Sequence, residues 1–126
     1  MSQRNDSGFK TFTAGAAIDI YSRVKLHTDG TVLVAGLAEK SIGTLQTAAG
    51  VSGAPVVVKL RTAPGTHKVR VKEAVAIAAP LYTEALGEVQ DTAETTAYLE
   101  MQALEAATAE DDVIEAMYMT ATGAAA

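Results

Sequence analysis

Acid–base, nucleophilic and metal chemistry each need particular side chains at particular spacings, and this chain offers few of them. Its two histidines, His27 and His67, form no His-x-x-x-His or similar pair. Each sits in a strand-like stretch, where a lone imidazole reads as a surface or packing residue. Cysteine is absent, so there is no thiolate metal site, no Cys nucleophile and no disulfide framework. Neither a Gly-x-Ser-x-Gly elbow nor a Walker-type loop occurs; Gly30, Gly36, Gly43, Gly50 and Gly53 are scattered turn glycines. Glu110, Asp111 and Asp112 make an acidic turn without the Asp-x-Asp-x-Asp-Gly frame that wraps calcium. Glu84, Glu88, Glu94 and Glu100 have no partner in the sequence that would mark an acid/base pair. These residues predict a protein that is not an enzyme and carries no metal or other cofactor.

One local charge feature stands out. Lys68, Arg70 and Lys72 alternate with Val69 and Val71, so a strand here has one apolar and one cationic face. Such a stripe is either a solvated or lysine-guarded strand face, or a docking stripe for an acidic protein surface. The net charge of −5 argues against a dedicated nucleic-acid binder, which carries a basic footprint. No apolar run approaches the ~20 residues of a membrane span. The first ten residues lack the apolar core of a signal peptide, and cytoplasmic synthesis is expected.

The elements that would position these side chains read as strands. Val24 and Leu26 alternate with Arg23 and Lys25, which places the two cations on the wet face. Asp29-Gly30 is a hairpin turn, with Thr31–Val34 returning. Ile42–Leu45 and Pro55–Leu60 are further strands, separated by a Gly-containing loop at Ala48–Ala54. Beyond the Ala63-Pro64-Gly65 breaker come strands at His67–Lys72, Leu81-Tyr82 and Val113–Met117. Residues 93–107 are rich in Ala, Glu and Leu, yet the corresponding stretch in the first half contains glycines and predicts strand and loop rather than helix. Aromatic residues make up only 5% of the chain, which suits thin, tight layers better than an aromatic-lined pocket. The expected fold is all-β: a small, tulip-like β-barrel or sandwich. Residues 1–10 form a flexible arm, residues 11–118 a single β domain, and residues 119–126 a frayed tail.

That domain is written twice. Ala17 matches Ala74, Ile18 matches Val75, Val24 matches Leu81, Gly30 matches Gly87 and Val32 matches Val89, each 57 residues apart. Ile42–Ala49 lies on Met101–Thr108 at a shift of 59, and Val56, Val57 and Leu60 return to 57 on Val113, Ile114 and Met117. Repeat one spans 11–61 and repeat two 67–118. A duplicated unit without a catalytic motif points to architecture.

Three segments carry a family likeness: Ala76–Tyr82, then Leu86–Val89, then Ala103–Glu115. In that order they resemble the small capsid decoration, or cement, proteins of tailed bacteriophages. The family pattern reads G-x-P-L-Y, then G-x-V, then A-L-E-A-A-x-A-x-G-D-x-I-x-V. The first repeat is similar through Ala14–Ala17, Val24–Leu26, Asp29–Val32, Ile42-Gly43, Ala48–Gly50 and Val56–Val58, so the resemblance covers residues 11–118. Two departures stand out: Asp111-Asp112 where the family has Gly before the last strand, and Ala79 where it has Gly before Pro-Leu-Tyr. The resemblance implies a virion structural protein on the exterior of an icosahedral head. It would bind the major capsid protein as a homo-trimer and stabilise the lattice, with no nucleic-acid or membrane partner. Its implied capsid contacts are Arg4, Phe9, Lys10 and Phe12 at the N-terminus, and Lys68, Arg70 and Lys72. Two other readings are a tail or fibre subunit and a small β carrier domain. The latter would need a lysine at a hairpin tip, and Asp29-Gly30 has none.

Overall fold

The computed structural model describes residues 7–119, and no α-helix occurs among them. The strands are β1 (Phe9–Ala14), β2 (Arg23–Leu26), β3 (Thr31–Val34), β4 (Gly43–Leu45), β5 (Pro55–Leu60), β6 (His67–Arg70), β7 (Pro80–Thr83), β8 (Val89–Gln90), β9 (Leu99–Ala103) and β10 (Val113–Tyr118). A single 3-10 turn lies at Ala85–Gly87. The hairpin at Asp29-Gly30 and the strand reading of the 93–107 segment both hold. Ala- and Glu-rich residues extend there because β9 is gripped between β7 and β10, and tertiary pairing outweighs a weak helical preference. β1 starts at Phe9, so residues 9 and 10 of the expected arm are strand, paired to Lys59 and Val58. Residues 1–6 of the arm, and 120–126 of the tail, lie outside the described residues.

The first half is a closed five-stranded barrel in the order β1-β3-β2-β4-β5. All its pairings are antiparallel except β1 with β3, where Ala14 lies opposite Val32 and the Gly15 N–H donates to the Val32 carbonyl at 2.9 Å. The second half repeats this order as β6-β10-β9-β7-β8 and curls until one parallel bridge, Val71 to Val89, meets. There the Lys72 N–H donates to the Val89 carbonyl, also at 2.9 Å. Ala14 and Val71, like Val32 and Val89, are 57 residues apart, so the closures are the same contact twice.

The duplication extends to the cores, which are separate. One consists of Ala14, Ile18, Val24, Val32, Leu45, Ala49, Val56 and Val58. Each has its counterpart in the other: Val71, Val75, Leu81, Val89, Ala103, Ala107, Ile114 and Ala116. The repeat is therefore built as one closed barrel and one five-stranded sheet curled into an incomplete barrel, each with its own core, rather than one shared sandwich.

This correspondence corrects the register read from sequence. From β4 onward the shift is 58: Leu45 matches Ala103, Val56 matches Ile114 and Leu60 matches Tyr118. The residue likeness of Ile42 to Met101 misled, because the hydrogen-bond partners put Gly43 at the place of Met101. One extra residue lies between β8 and β9.

Left-handed backbone follows the same rule. Gly8 pairs with Gly65, Tyr21 with Ala78, Gly30 with Gly87 and Gly53 with Asp111; every member has positive φ. The glycine position of the family pattern before the last strand is thus Asp111 at φ 68, a conformation that Asp tolerates better than most residues. Before Pro-Leu-Tyr the left-handed residue is Ala78, at φ 70, and not Ala79.

Candidate functional site

The residues singled out by sequence fall into two groups on equivalent strands of different barrels. Arg4 lies outside the described residues. Phe9 is exposed on β1, with the Lys59 ammonium 5.6 Å from its ring centroid. Lys10 stands 5.8 Å over the ring of Phe12, which packs half-buried on the first core. On β6 and the two residues that follow it, Val69 and Val71 point into the second core as the alternation requires, and the three cations face away from it.

Those cations are unequal. Arg70 faces Asp19 at 3.0 Å, Asp111 at 3.3 Å and Glu88 at 3.6 Å. Burial works against its charge, but Asp111, Asp19 and Glu88 outweigh burial and raise its pKa. Lys72 pairs with Glu84 at 3.0 Å, and that hydrogen bond raises its pKa. Lys68 is exposed, 5.6 Å from the Tyr21 ring centroid and opposite Glu115 in the strand register. Asp19 and Tyr21 belong to the first half, so the stripe borders the seam between the barrels.

The acidic turn has a structural occupation. The Asp112 carboxylate accepts from the backbone N–H groups of Thr108 and Ala109, and these bonds hold its pKa down. Among the described residues no group of His, Asp and Glu is arranged to hold a metal ion.

The seam contains the strongest polar cluster in the molecule, and sequence reasoning missed it. Arg23, read as solvated, is 0% exposed. Its guanidinium donates to Glu100 Oε1 at 2.8 Å. It also donates to five carbonyls: Glu84, Glu88, Ala35, Gly36 and Glu39. Glu100, read as partnerless and also 0% exposed, accepts in addition from Arg61 at 3.0 Å and from the Ser41 N–H and hydroxyl. The Ser41 hydroxyl meets the Tyr118 phenol at 2.7 Å, and burial pushes that phenol's pKa up. Arg23, Ser41 and Arg61 come from the first half; Glu84, Glu88, Glu100 and Tyr118 come from the second. A period-two pattern assigns Arg23 to the face opposite the core, but cannot say that another barrel covers that face.

His67 is the other buried polar residue at the seam. Its Nδ1 lies 2.8 Å from the Thr44 hydroxyl, and its ring packs edge-to-face on Tyr118. Burial lowers its pKa from 6.5 to about 4. The unfolded chain binds the His67 proton below pH 6.5, whereas the folded chain resists until about pH 4. The His67 contribution to stability is therefore complete above pH 6.5 and is lost as pH falls towards 4. Glu88 acts in the opposite sense: burial, then the nearby Asp111, raises its pKa, so its contribution fades as pH rises. The His67 effect is isolated by subtraction. Melting midpoints of wild type and His67→Gln should converge as pH drops from 6.5 to 4. A constant gap over that window would show that His67 does not titrate in this way.

The chemistry the seam supports is adhesion between halves: every cluster on it holds one barrel against the other. Comparison with known proteins adds a fold. No family model matches the chain, and no curated protein matches it. Among solved structures it is similar to the head fiber gp8.5 N base of bacteriophage phi29, with 14% sequence identity and a TM-score of 0.72. The match covers 91% of this chain and 96% of that one, so the likeness takes in both barrels and is one of fold.

Proposed function

We propose that the chain is a non-enzymatic structural protein of a phage virion, seated on the outer surface of the head. The observation that carries this reading is the fold likeness, over 91% of this chain, to the base of a phage head fibre. The architecture suits it. Two rigid small barrels, locked by a buried ion cluster, make a stiff body that delivers many weak contacts, and repetition on a lattice turns these into avidity. In this reading the partner is the major capsid protein. The chain works as a homo-trimer, whose cyclic symmetry matches three-fold lattice positions. Residues 1–6, strand β1 with Phe9 on one side and Lys10 and Phe12 on the other, and Lys68 meet the shell. Arg70 and Lys72 are already engaged with carboxylates of this chain. Decoration and fibre attachment are two forms of the same seating, and the fibre-base neighbour favours attachment as much as cementing.

The test uses heads stripped of their native surface protein. Purified protein at about 1 μM should bind saturably and occupy regular positions seen by cryo-electron microscopy. Greater resistance of the occupied heads to rupture would mark a cement; unchanged resistance would mark an attachment base. Absence of binding at that concentration overturns the reading.

A further inference from the structure

The seam also holds a cleft of about 440 Å³, bounded by Tyr21 and Gln46 of the first half and by His67, Lys68, Glu105 and Glu115 of the second. Its volume lies within the ~300–1,000 Å³ range of small-ligand sites. His67 is only 2% exposed, and its Nε2 has no hydrogen-bond partner. The tautomer follows from the neighbouring donors. Gln46 Nε2 donates to Thr44 Oγ1 at 3.2 Å, leaving the threonine's own proton for His67 Nδ1 at 2.8 Å. Nδ1 therefore accepts, and the neutral ring carries its hydrogen on Nε2. That N–H is buried behind the cleft surface, where solvent does not reach it.

The remaining lining narrows the ligand. Glu105 Oε1 accepts from the Glu115 N–H at 2.7 Å and Glu115 Oε2 accepts from the Thr66 hydroxyl at 2.6 Å, which leaves one oxygen of each carboxylate to receive donors. Lys68 offers an ammonium and Tyr21 an aromatic ring. Two carboxylates against one ammonium disfavour phosphates and carboxylates, and the polar walls disfavour a flat apolar molecule. A small ring carrying both donors and acceptors, with a C–H face for the tyrosine, answers all of these groups. We propose that this cleft binds a neutral saccharide unit, with Glu105 and Glu115 accepting from its hydroxyls, Lys68 donating to its oxygens and Tyr21 covering its C–H face. The cleft shares Lys68 with the head-contact reading, but the titration uses the free chain, so either can fail alone.

The test is an NMR titration of the isotope-labelled chain with glucose, galactose and N-acetylglucosamine, and separately with putrescine and inorganic phosphate. At least one neutral sugar should give saturable shifts at the Gln46 side-chain amide and the His67 ring, with Kd of about 0.1–10 mM. Glu105→Gln and Lys68→Ala, both at exposed positions, should each weaken binding about tenfold at an unchanged melting midpoint. Shifts with putrescine alone would make this a cation site, and shifts with phosphate alone an anion site. Either result overturns the proposal, as does the absence of saturable shifts at these two residues.

Discussion

Arg23→Met is expected to destabilise the protein by about 3–5 kcal/mol, the range for breaking a buried ion pair from one side. Methionine keeps most of the length and apolar volume, so a cavity is a minor part of the loss. The larger part is polar. Five carbonyls lose a donor, those of Ala35, Glu84 and Glu88 in fully buried bonds, and Glu100 keeps only Arg61 and Ser41. Each orphaned group costs ~1–3 kcal/mol, although some carbonyls relax toward other donors. Arg23→Lys should recover only part of the loss, because an ammonium has three donors and no planar fork. Urea denaturation at constant pH measures both variants. A loss below about 1 kcal/mol for the methionine variant would mean that the cluster contributes little to stability.

Gly43→Val should be at least as damaging, for a steric reason. A Cβ at residue 43 would stand 2.1 Å from the Lys59 carbonyl oxygen and 2.9 Å from the Leu60 Cα. Both are backbone atoms of the paired strand β5, so no side chain can rotate away. The pairing of β4 with β5 must give, and with it the closure of the first barrel. A loss of more than about 3 kcal/mol is expected, with hydrogen exchange fastest at the β5 amides. The equivalent place in the second half is held by Met101, fully buried in its core, so the restriction belongs to the first barrel's tighter closure. Met101→Val, a shortening in place, should cost about 1 kcal/mol. A Gly43→Val protein that melts like wild type would contradict the close approach of these strands.

Much of this fold is legible in the residues. Alternation located Val69 and Val71, the β-branched run marked the strand Pro55–Leu60, and Asp29-Gly30 marked its hairpin, because these signals are local. The repeat was visible for the same reason, through core valines and turn glycines that recur. The seam was hidden. Arg23 and Glu100 are separated by 77 residues, and neither carries a local sign of its partner. His67 reads as a packing residue, and it packs; only the folded arrangement shows that its Nε2 is left without an acceptor. The parallel closing contacts were equally silent, since a strand's residues do not tell which edge they will meet.

Gly30 and Gly87 are the same turn position in the two copies, and both have positive φ. At Gly30 an added Cβ meets nothing within 4 Å; at Gly87 it meets the Arg23 carbonyl oxygen and the Ser22 Cβ, each at 2.9 Å. Arg23 itself has Pro80 at its equivalent place, and Glu100 has Ile42. The copies are therefore not equally free to drift. Lineages descended from this chain can replace Gly30 by asparagine at little cost, since asparagine visits left-handed backbone and space is open there. They must keep Gly87, because the turn that faces solvent in one copy became, in the other, the floor on which the first barrel rests.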